Sequence, residues 1–309
     1  MDQPPVIPEK RRAREAMNPE KPTVKSTRKQ RPCFEVMSEL VFRPLAHPVV
    51  LALLPLRVPP PAVVLAGTAV GLGAAFELGS GHLVAAAVLL QLKTLLDGAD
   101  GQLARASGRV TVFGRYLDSE SDLLVDATLF VALGYLTGEW LLAAIAFAVL
   151  TLVLSIDFGL ENLYRRERGE TRQARPAATG AAAVLGRIYD VVYAPQDRLV
   201  ERFVAWRLRG AGAEARLAFH DRATIMIVAN YGLSTQLAAL GICLAAGHPT
   251  VYLWLVVACG ASLVPLEVRR ERRARDYHGG GSRSSAPGSA NPISDVSGRS
   301  EHGRASGET

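Results

Sequence analysis

Residues 97–122 read DGADGQLARASGRVTVFGRYLDSESD and combine acidic residues with glycines between two apolar stretches. On a helix, Asp97 and Asp100 lie three residues apart and Asp118 and Asp122 four apart, so each pair projects its carboxylates from one face. Four carboxylates that converge without cations repel one another and resist ionisation, whereas hard divalent ions with oxygen ligands remove that conflict. The stretch therefore predicts a metal site, and the intervening glycines and arginine suit a bound diphosphate.

The spacing of this stretch resembles the signature of the CDP-alcohol phosphotransferases, integral membrane enzymes that make phospholipid headgroups and related phosphodiesters. The shared pattern is D-x2-D-G-x2-A-R-x8-G-x3-D-x3-D, which fixes eight residue types and is therefore specific. Its positions are filled by Asp97, Asp100, Gly101, Ala104, Arg105, Gly114, Asp118 and Asp122. The alternative is that these are ordinary helix-end carboxylates on a solvated face, but apolar runs flank the motif on both sides.

The composition indicates an all-α, polytopic membrane protein. The chain has 309 residues, 49% hydrophobic, with a formal net charge of +6. Its apolar residues cluster into runs long enough for spanning helices, which need about 20 residues each. We expect six spans, at about residues 62–78, 82–104, 114–136, 140–160, 223–246 and 250–268. An interfacial amphipathic helix within residues 34–58 precedes them, although a broken first transmembrane helix is the alternative for this proline-containing stretch.

The chain divides into one membrane domain and two tails. We expect residues 1–33 and 276–309 to be disordered, and residues 34–275 to form the membrane domain with a long cytoplasmic loop at 161–222. The connections that follow spans one, three and five contain no Lys or Arg, whereas the opposite side is rich in Arg. By the positive-inside rule, both termini and the aspartate motif of this multi-pass cell-membrane protein are cytoplasmic.

The resemblance implies roles for the residues of the motif. It implies two Mg²⁺ or Mn²⁺ ions, held against the diphosphate of a CDP-linked donor by Asp97, Asp100, Asp118 and Asp122. It also implies that the donor is bound by Gly101, Ala104, Arg105, Thr111 and Gly114. Asp122 matches the general base that takes a proton from the acceptor hydroxyl as CMP leaves. The resemblance further implies a homodimer, and no feature of the sequence indicates nucleic-acid binding.

Two further residues near the motif have two interpretations each, and the start of the first span departs from the family pattern. Lys93 lies one turn before Asp97 and either neutralises part of the carboxylate cluster or snorkels towards the membrane surface. Asp126 extends the stripe beyond Asp122, either supporting the metal ligands or making an interhelical polar contact. Where members of the resembled family carry Asn and Thr at the start of the first span, this chain has Pro61 and Val64. This departure weakens substrate assignment by analogy.

The acceptor is the least determined part of the site. Arg166, Arg168 and Arg222 resemble basic residues that hold the phosphate of inositol phosphate in family members, although they are equally explained by binding to anionic headgroups. We therefore expect CDP-diacylglycerol as donor and a phosphorylated polyol, such as inositol phosphate or glycerol phosphate, as acceptor. Serine as acceptor and a soluble CDP-inositol donor stay open. More distant alternatives are a membrane prenyltransferase and a non-catalytic ion-relay membrane protein.

The predicted orientation is tested by labelling a single cysteine at position 138, between spans three and four, in a background without Cys33, Cys243 and Cys259. This connection lacks Lys and Arg, so a membrane-impermeant maleimide added outside intact cells should label it. If the cysteine were labelled only from the cytoplasmic side, the predicted orientation would be wrong.

Overall fold

The described part of the chain is entirely helical. The computed structural model describes residues 23, 24, 27, 31–170 and 180–280, and within them there is no strand, which confirms the all-α prediction. A π-helical turn, Ser38–Phe42, leads into ten described α-helices: α1 Arg43–Leu53, α2 Pro60–Gly79, α3 Leu83–Ala106, α4 Val112–Thr137, α5 Trp140–Glu167, α6 Ala181–Arg207, α7 Ala213–Phe219, α8 Arg222–Ala229, α9 Leu233–Ala245 and α10 Pro249–Gly280. Most of the predicted N-terminal tail, residues 171–179 and residues 281–309 lie outside the described residues.

Helix α3 lies at the centre of the bundle. It packs against α1, α2 and α9, while α4 packs against α2 and α5, and α10 against α5. The shared core is apolar, and its fully buried side chains include Leu78, Leu90, Leu133, Leu150, Leu240 and Tyr252. Six helices contribute to this core, among them α3 and α4, which carry the motif and are both contacted by α2.

Gly71 allows α2 to approach α4 closely. A Cβ atom built at this position would lie 2.7 Å from Val125 Cγ1 on α4 and 3.3 Å from Lys93 Cγ on α3. The first distance is far shorter than a van der Waals contact, so only glycine fits without displacing a neighbour. Three helices therefore meet at Gly71. The residues that it contacts, Lys93 and Val125, lie about one helical turn from Asp97 and Asp122.

Four segments of the described chain are long and apolar enough to cross a membrane by length and composition: Pro60–Gly79, Trp140–Glu167, Ala213–Ala245 and Pro249–Asp276. Helices α3 and α4 are not among them, because the motif places several charged residues in each. The findings thus support a membrane protein with several apolar helices. The count of six spans and the interfacial helix stay predictions.

The predicted fifth span is interrupted, since α8 ends at Ala229 and α9 begins at Leu233. Asn230 occupies the break, where its side-chain amide donates to the Phe34 carbonyl at 3.0 Å and its Oδ1 accepts from the Val36 backbone amide at 2.8 Å. Two residues later, a Cβ at Gly232 would lie 2.9 Å from the Ala229 carbonyl oxygen, so this tight bend favours glycine. The apolar pattern alone did not indicate this break.

The segment before α1 is also fixed by ion pairs. Arg31 approaches Glu35 at 3.2 Å, Glu161 at 3.4 Å and Asp157 at 3.8 Å, the last two on α5. Burial lowers the pKa of Arg31, but the three carboxylates outweigh it and leave the pKa above its ordinary value. The beginning of the described chain is therefore held against α5.

The long segment between α5 and α8 is largely helical where the structure describes it. Helix α6 packs against α4 and α5. Its outer surface carries exposed apolar side chains at helical spacing, namely Val184, Val191, Leu199, Phe203 and Trp206. An exposed apolar face of this kind is typical of an amphipathic helix.

The close approach at Gly71 predicts that Gly71→Ala destabilises the bundle by about 1–3 kcal/mol, the usual cost of overpacking a core. Thermal unfolding of the purified protein in detergent would show a lower Tm. Gly73→Ala is the matched control on the same helix, because its Cβ would lie 3.9 Å from the nearest side chain, Leu89. An equal or larger loss of stability in the control would contradict the packing argument.

Candidate functional site

A pocket between α2, α3 and α4 collects the acidic residues of the motif. Helix α3 and helix α4 contribute its polar side, and α2 contributes a wall that is mostly apolar. The pocket is lined by Val63, Val64, Gly67, Thr68, Lys93, Asp97, Asp100, Asp118, Ser121 and Asp122. All four motif aspartates thus face one space, which requires both helices to present their acidic faces to α2.

Local signals place the two helical segments of the motif. Helix α3 ends at Ala106, and Gly108 takes a φ of +66° that favours glycine and turns the chain back. Helix α4 then starts beside Thr111, whose hydroxyl accepts from the Gly114 amide at 3.0 Å as an N-cap. A five-residue connection therefore brings the aspartates of α4 next to those of α3.

Three of the carboxylates converge closely enough to share an ion. Oxygen atoms of Asp97, Asp100 and Asp118 all lie within 4.8 Å of one another. Asp100 is buried, at 7% exposure, and its Oδ2 has no hydrogen-bond partner within the described residues. A buried, unpartnered carboxylate oxygen is costly, and a hard divalent cation would satisfy it. The residues present therefore fit Mg²⁺ or Mn²⁺.

The fourth aspartate makes a different contact. Lys93 is buried, and its Nζ forms a short ion pair with Asp122 Oδ1 and lies 3.5 Å from Asp97 Oδ1. The structure favours the first of the two alternatives for this lysine, since its ammonium pairs with the carboxylates and its side chain is only 4% exposed. Asp126, one turn after Asp122, is buried at 4% exposure and does not line the pocket.

The motif arginine contacts the beginning of the described chain. Arg105 Nε donates a short hydrogen bond to the Thr27 carbonyl, and the Thr27 hydroxyl lies 3.4 Å from Gln102 Oε1. A Cβ at Gly101 would lie 3.2 Å from Arg105 Nη2, so this glycine leaves room for the guanidinium. Ala104 is partly buried beside it. Thr111 and Gly114 are joined by the N-cap hydrogen bond of α4.

The three arginines expected at the acceptor lie outside this pocket. Arg166 and Arg168 are exposed at the end of α5, where the Arg168 guanidinium stacks 3.5 Å from the centre of the Tyr164 ring. Arg222 is exposed at the start of α8. The pocket also contains two polar residues, Thr68 and Ser121, that the motif did not indicate. Thr68 could have been predicted as a pocket residue from helical spacing, because it lies one turn beyond Val64.

Comparisons with known proteins agree with the motif. A family model described as CDP-alcohol phosphatidyltransferase matches residues 49–207, just over half of the chain. An archaetidylinositol phosphate synthase of Pyrococcus horikoshii is 37% identical over 81 residues, covering 26% of this chain and 43% of that protein. A phosphatidylinositol phosphate synthase of Mycobacteroides abscessus is 34% identical over 99 residues, covering 32% and 45%.

A third relative, the bifunctional IPC transferase and DIPP synthase of Aquifex aeolicus, is 39% identical over 75 residues, or 24% of this chain and 18% of that protein. The matched stretch spans less than half the length of each of these three relatives. No solved structure matches the chain.

The three-carboxylate cluster predicts that Asp118→Asn weakens Mn²⁺ binding by about 100-fold or more, since even the loss of a residue that supports a metal ligand costs about 10–100-fold. The free ion is measured by electron paramagnetic resonance during a titration of purified protein. Glu120→Gln is the control, because Glu120 is also a buried carboxylate of α4 but lies outside the cluster. Equal weakening by both substitutions would contradict a metal site at these aspartates.

Proposed function

Because the chain belongs to the CDP-alcohol phosphatidyltransferase family, a family of phosphotransferase enzymes, we propose that it transfers a phosphatidyl or related phospho-alcohol group from a CDP-linked donor to an alcohol. The products are a phosphodiester and CMP. The observation that carries this proposal is the convergence of Asp97, Asp100 and Asp118 within 4.8 Å, in a pocket shared with Asp122. Family membership favours this chemistry over a prenyltransferase or an ion relay.

The aspartates would hold Mg²⁺ or Mn²⁺, which in such a site neutralises charge on the oxygens of the transferred phosphoryl group and its leaving group. Arg105 is adjacent to the cluster and supplies a planar, bidentate donor for a phosphate oxygen. Gly101 and Ala104 lie on the same helix as Arg105, and their small size leaves room for the donor. Gly114 lies in the first turn of α4. For Arg105 to use its Nε towards a phosphate, the Thr27 carbonyl must give up its hydrogen bond.

Asp122 is the proposed general base. Its carboxylate faces the pocket but is outside the three-carboxylate group, so it is positioned to accept a proton from an acceptor hydroxyl. Val64, where family members carry Thr, lies in the pocket wall, and the nearby Thr68 hydroxyl donates to the Val64 carbonyl at 2.8 Å. This wall therefore offers less polar contact to the substrates than the resemblance implies.

We propose CDP-diacylglycerol as the donor and a phosphorylated polyol, such as inositol phosphate, as the acceptor. Two of the relatives are named archaetidylinositol phosphate synthase and phosphatidylinositol phosphate synthase, which favours this acceptor. In this proposal the acceptor phosphate is contacted by three exposed cations that lie outside the pocket, Arg166, Arg168 and Arg222. Serine as acceptor and CDP-inositol as donor are the alternatives.

The membrane arrangement belongs to the same proposal. Six spans require α3 and α4 to cross the bilayer with their charged residues turned towards the shared pocket, which is how intramembrane carboxylates are usually accommodated. Helix α1 buries Ala46 and Val50 against α3 while Leu45 and Leu51 stay exposed, as expected for an interfacial helix. We propose cytoplasmic termini and, from the family resemblance, a homodimer.

The reaction is tested by giving purified protein CDP-diacylglycerol, Mg²⁺ or Mn²⁺, and a panel of acceptors, with CMP release measured and the product identified by mass. We expect reaction with inositol phosphate or glycerol phosphate. Asp122→Asn is the control that assigns release to this site, because loss of a general base lowers turnover by about 100-fold to 10,000-fold.

The other outcomes separate the parts of the proposal. Reaction with serine alone would contradict the acceptor assignment to Arg166 and Arg168. Release of CMP only after the donor is changed to CDP-inositol would contradict the lipid donor. Turnover of Asp122→Asn near the wild-type rate would contradict the base assignment.

A further inference from the structure

Lys93 is a cation fixed inside the helical bundle. Its side chain is 4% exposed, and its stem passes through the gap that Gly71 leaves in α2. A lysine near the end of a membrane helix usually extends its ammonium to the interface. Lys93 instead lies in the middle of α3, with its Nζ in the aspartate pocket. A buried charge in this position requires compensation by neighbouring groups of opposite sign.

The partners of Lys93 divide the aspartates into two sets. Asp97, Asp100 and Asp118 form the group whose oxygens converge. Asp122 is absent from that group, and its Oδ1 forms the short ion pair with Lys93 Nζ. Asp97 lies at the boundary, since its Oδ1 is also 3.5 Å from Lys93 Nζ. The pocket therefore has two parts. The three converging aspartates suit a metal ion, and Asp122 already has a positive charge beside it, the ammonium of Lys93.

We propose that Lys93 is the second cation of this site, so that the chain binds a single divalent ion where the resemblance implies two. The ammonium compensates Asp122, and Asp97, Asp100 and Asp118 hold the ion. A second divalent ion bound through Asp122 would lie beside the ammonium of Lys93, which is paired with the same carboxylate and whose side chain is only 4% exposed, and the two cations would repel each other. This inference rests on the proposed function, since it concerns the same aspartates.

The geometry also makes Lys93 a positioning residue for Asp122. The ion pair fixes the direction of the Asp122 carboxylate within the pocket. The neighbouring Gly71 supports this arrangement, because a side chain there would press on both the lysine stem and Val125. Three helices thus cooperate to hold one ammonium group beside one carboxylate.

The test counts Mn²⁺ ions bound to the purified full chain in detergent, without substrates, by metal analysis and electron paramagnetic resonance. Wild type should bind one ion per chain, with the hyperfine pattern of an isolated Mn²⁺. Lys93→Met frees Asp122 and should bind two ions with a spin-coupled spectrum. Lys93→Arg keeps the charge and should bind one ion, which separates the effect of charge from that of packing.

Two coupled ions in wild type would overturn the inference and leave the proposed function standing. A single ion in a folded Lys93→Met protein would also overturn it, since the lysine would then not be what excludes the second ion. If Lys93→Met fails to fold, the wild-type count decides alone. Absence of any bound Mn²⁺ in wild type would instead contradict the metal site of the proposed function, and with it this inference.

Discussion

The mutual repulsion of carboxylates inside an apolar bundle is the constraint on which the rest of this structure depends. Asp100 and Asp126 are buried, and Asp97, Asp118 and Asp122 are only partly exposed. Such a concentration of negative charge is tolerated in a low-dielectric interior only with cations close by. The central position of α3, the glycine in α2 and the short connection to α4 all serve to bring those charges and their counter-charges together.

The local part of this arrangement could be predicted from the sequence. Spacings of three and four residues place Asp97 beside Asp100 and Asp118 beside Asp122 on any helix, and the apolar runs indicate how the two helices are buried. The prediction of a metal-compatible acidic cluster follows from those two facts. The choice of which three aspartates converge does not, because it depends on the rotation of α3 against α4 and on the pairing of Lys93.

The contacts that sequence reasoning missed are those between distant segments. Arg105 and Thr27 are 78 residues apart, and Val36 and Asn230 are 194 apart. Neither pair belongs to a periodic pattern, and a polar residue such as Asn230 inside an apolar run reads as a minor interruption. The break between α8 and α9 therefore became visible only once the partners of the Asn230 amide were known. Similarly, two alternatives for Lys93 were equally compatible with its position in the chain.

The hydrogen bonds of Asn230 have a consequence for the order in which the protein is assembled. A ribosome adds about 5–20 residues per second, so the 194 residues between Val36 and Asn230 take roughly 10–40 s to make. During that interval the Phe34 carbonyl and the Val36 amide must be satisfied by water or lipid headgroups. The segment at Phe34 and Val36 can therefore take its final position only late in biogenesis, after most of the helices that surround the aspartates have been inserted.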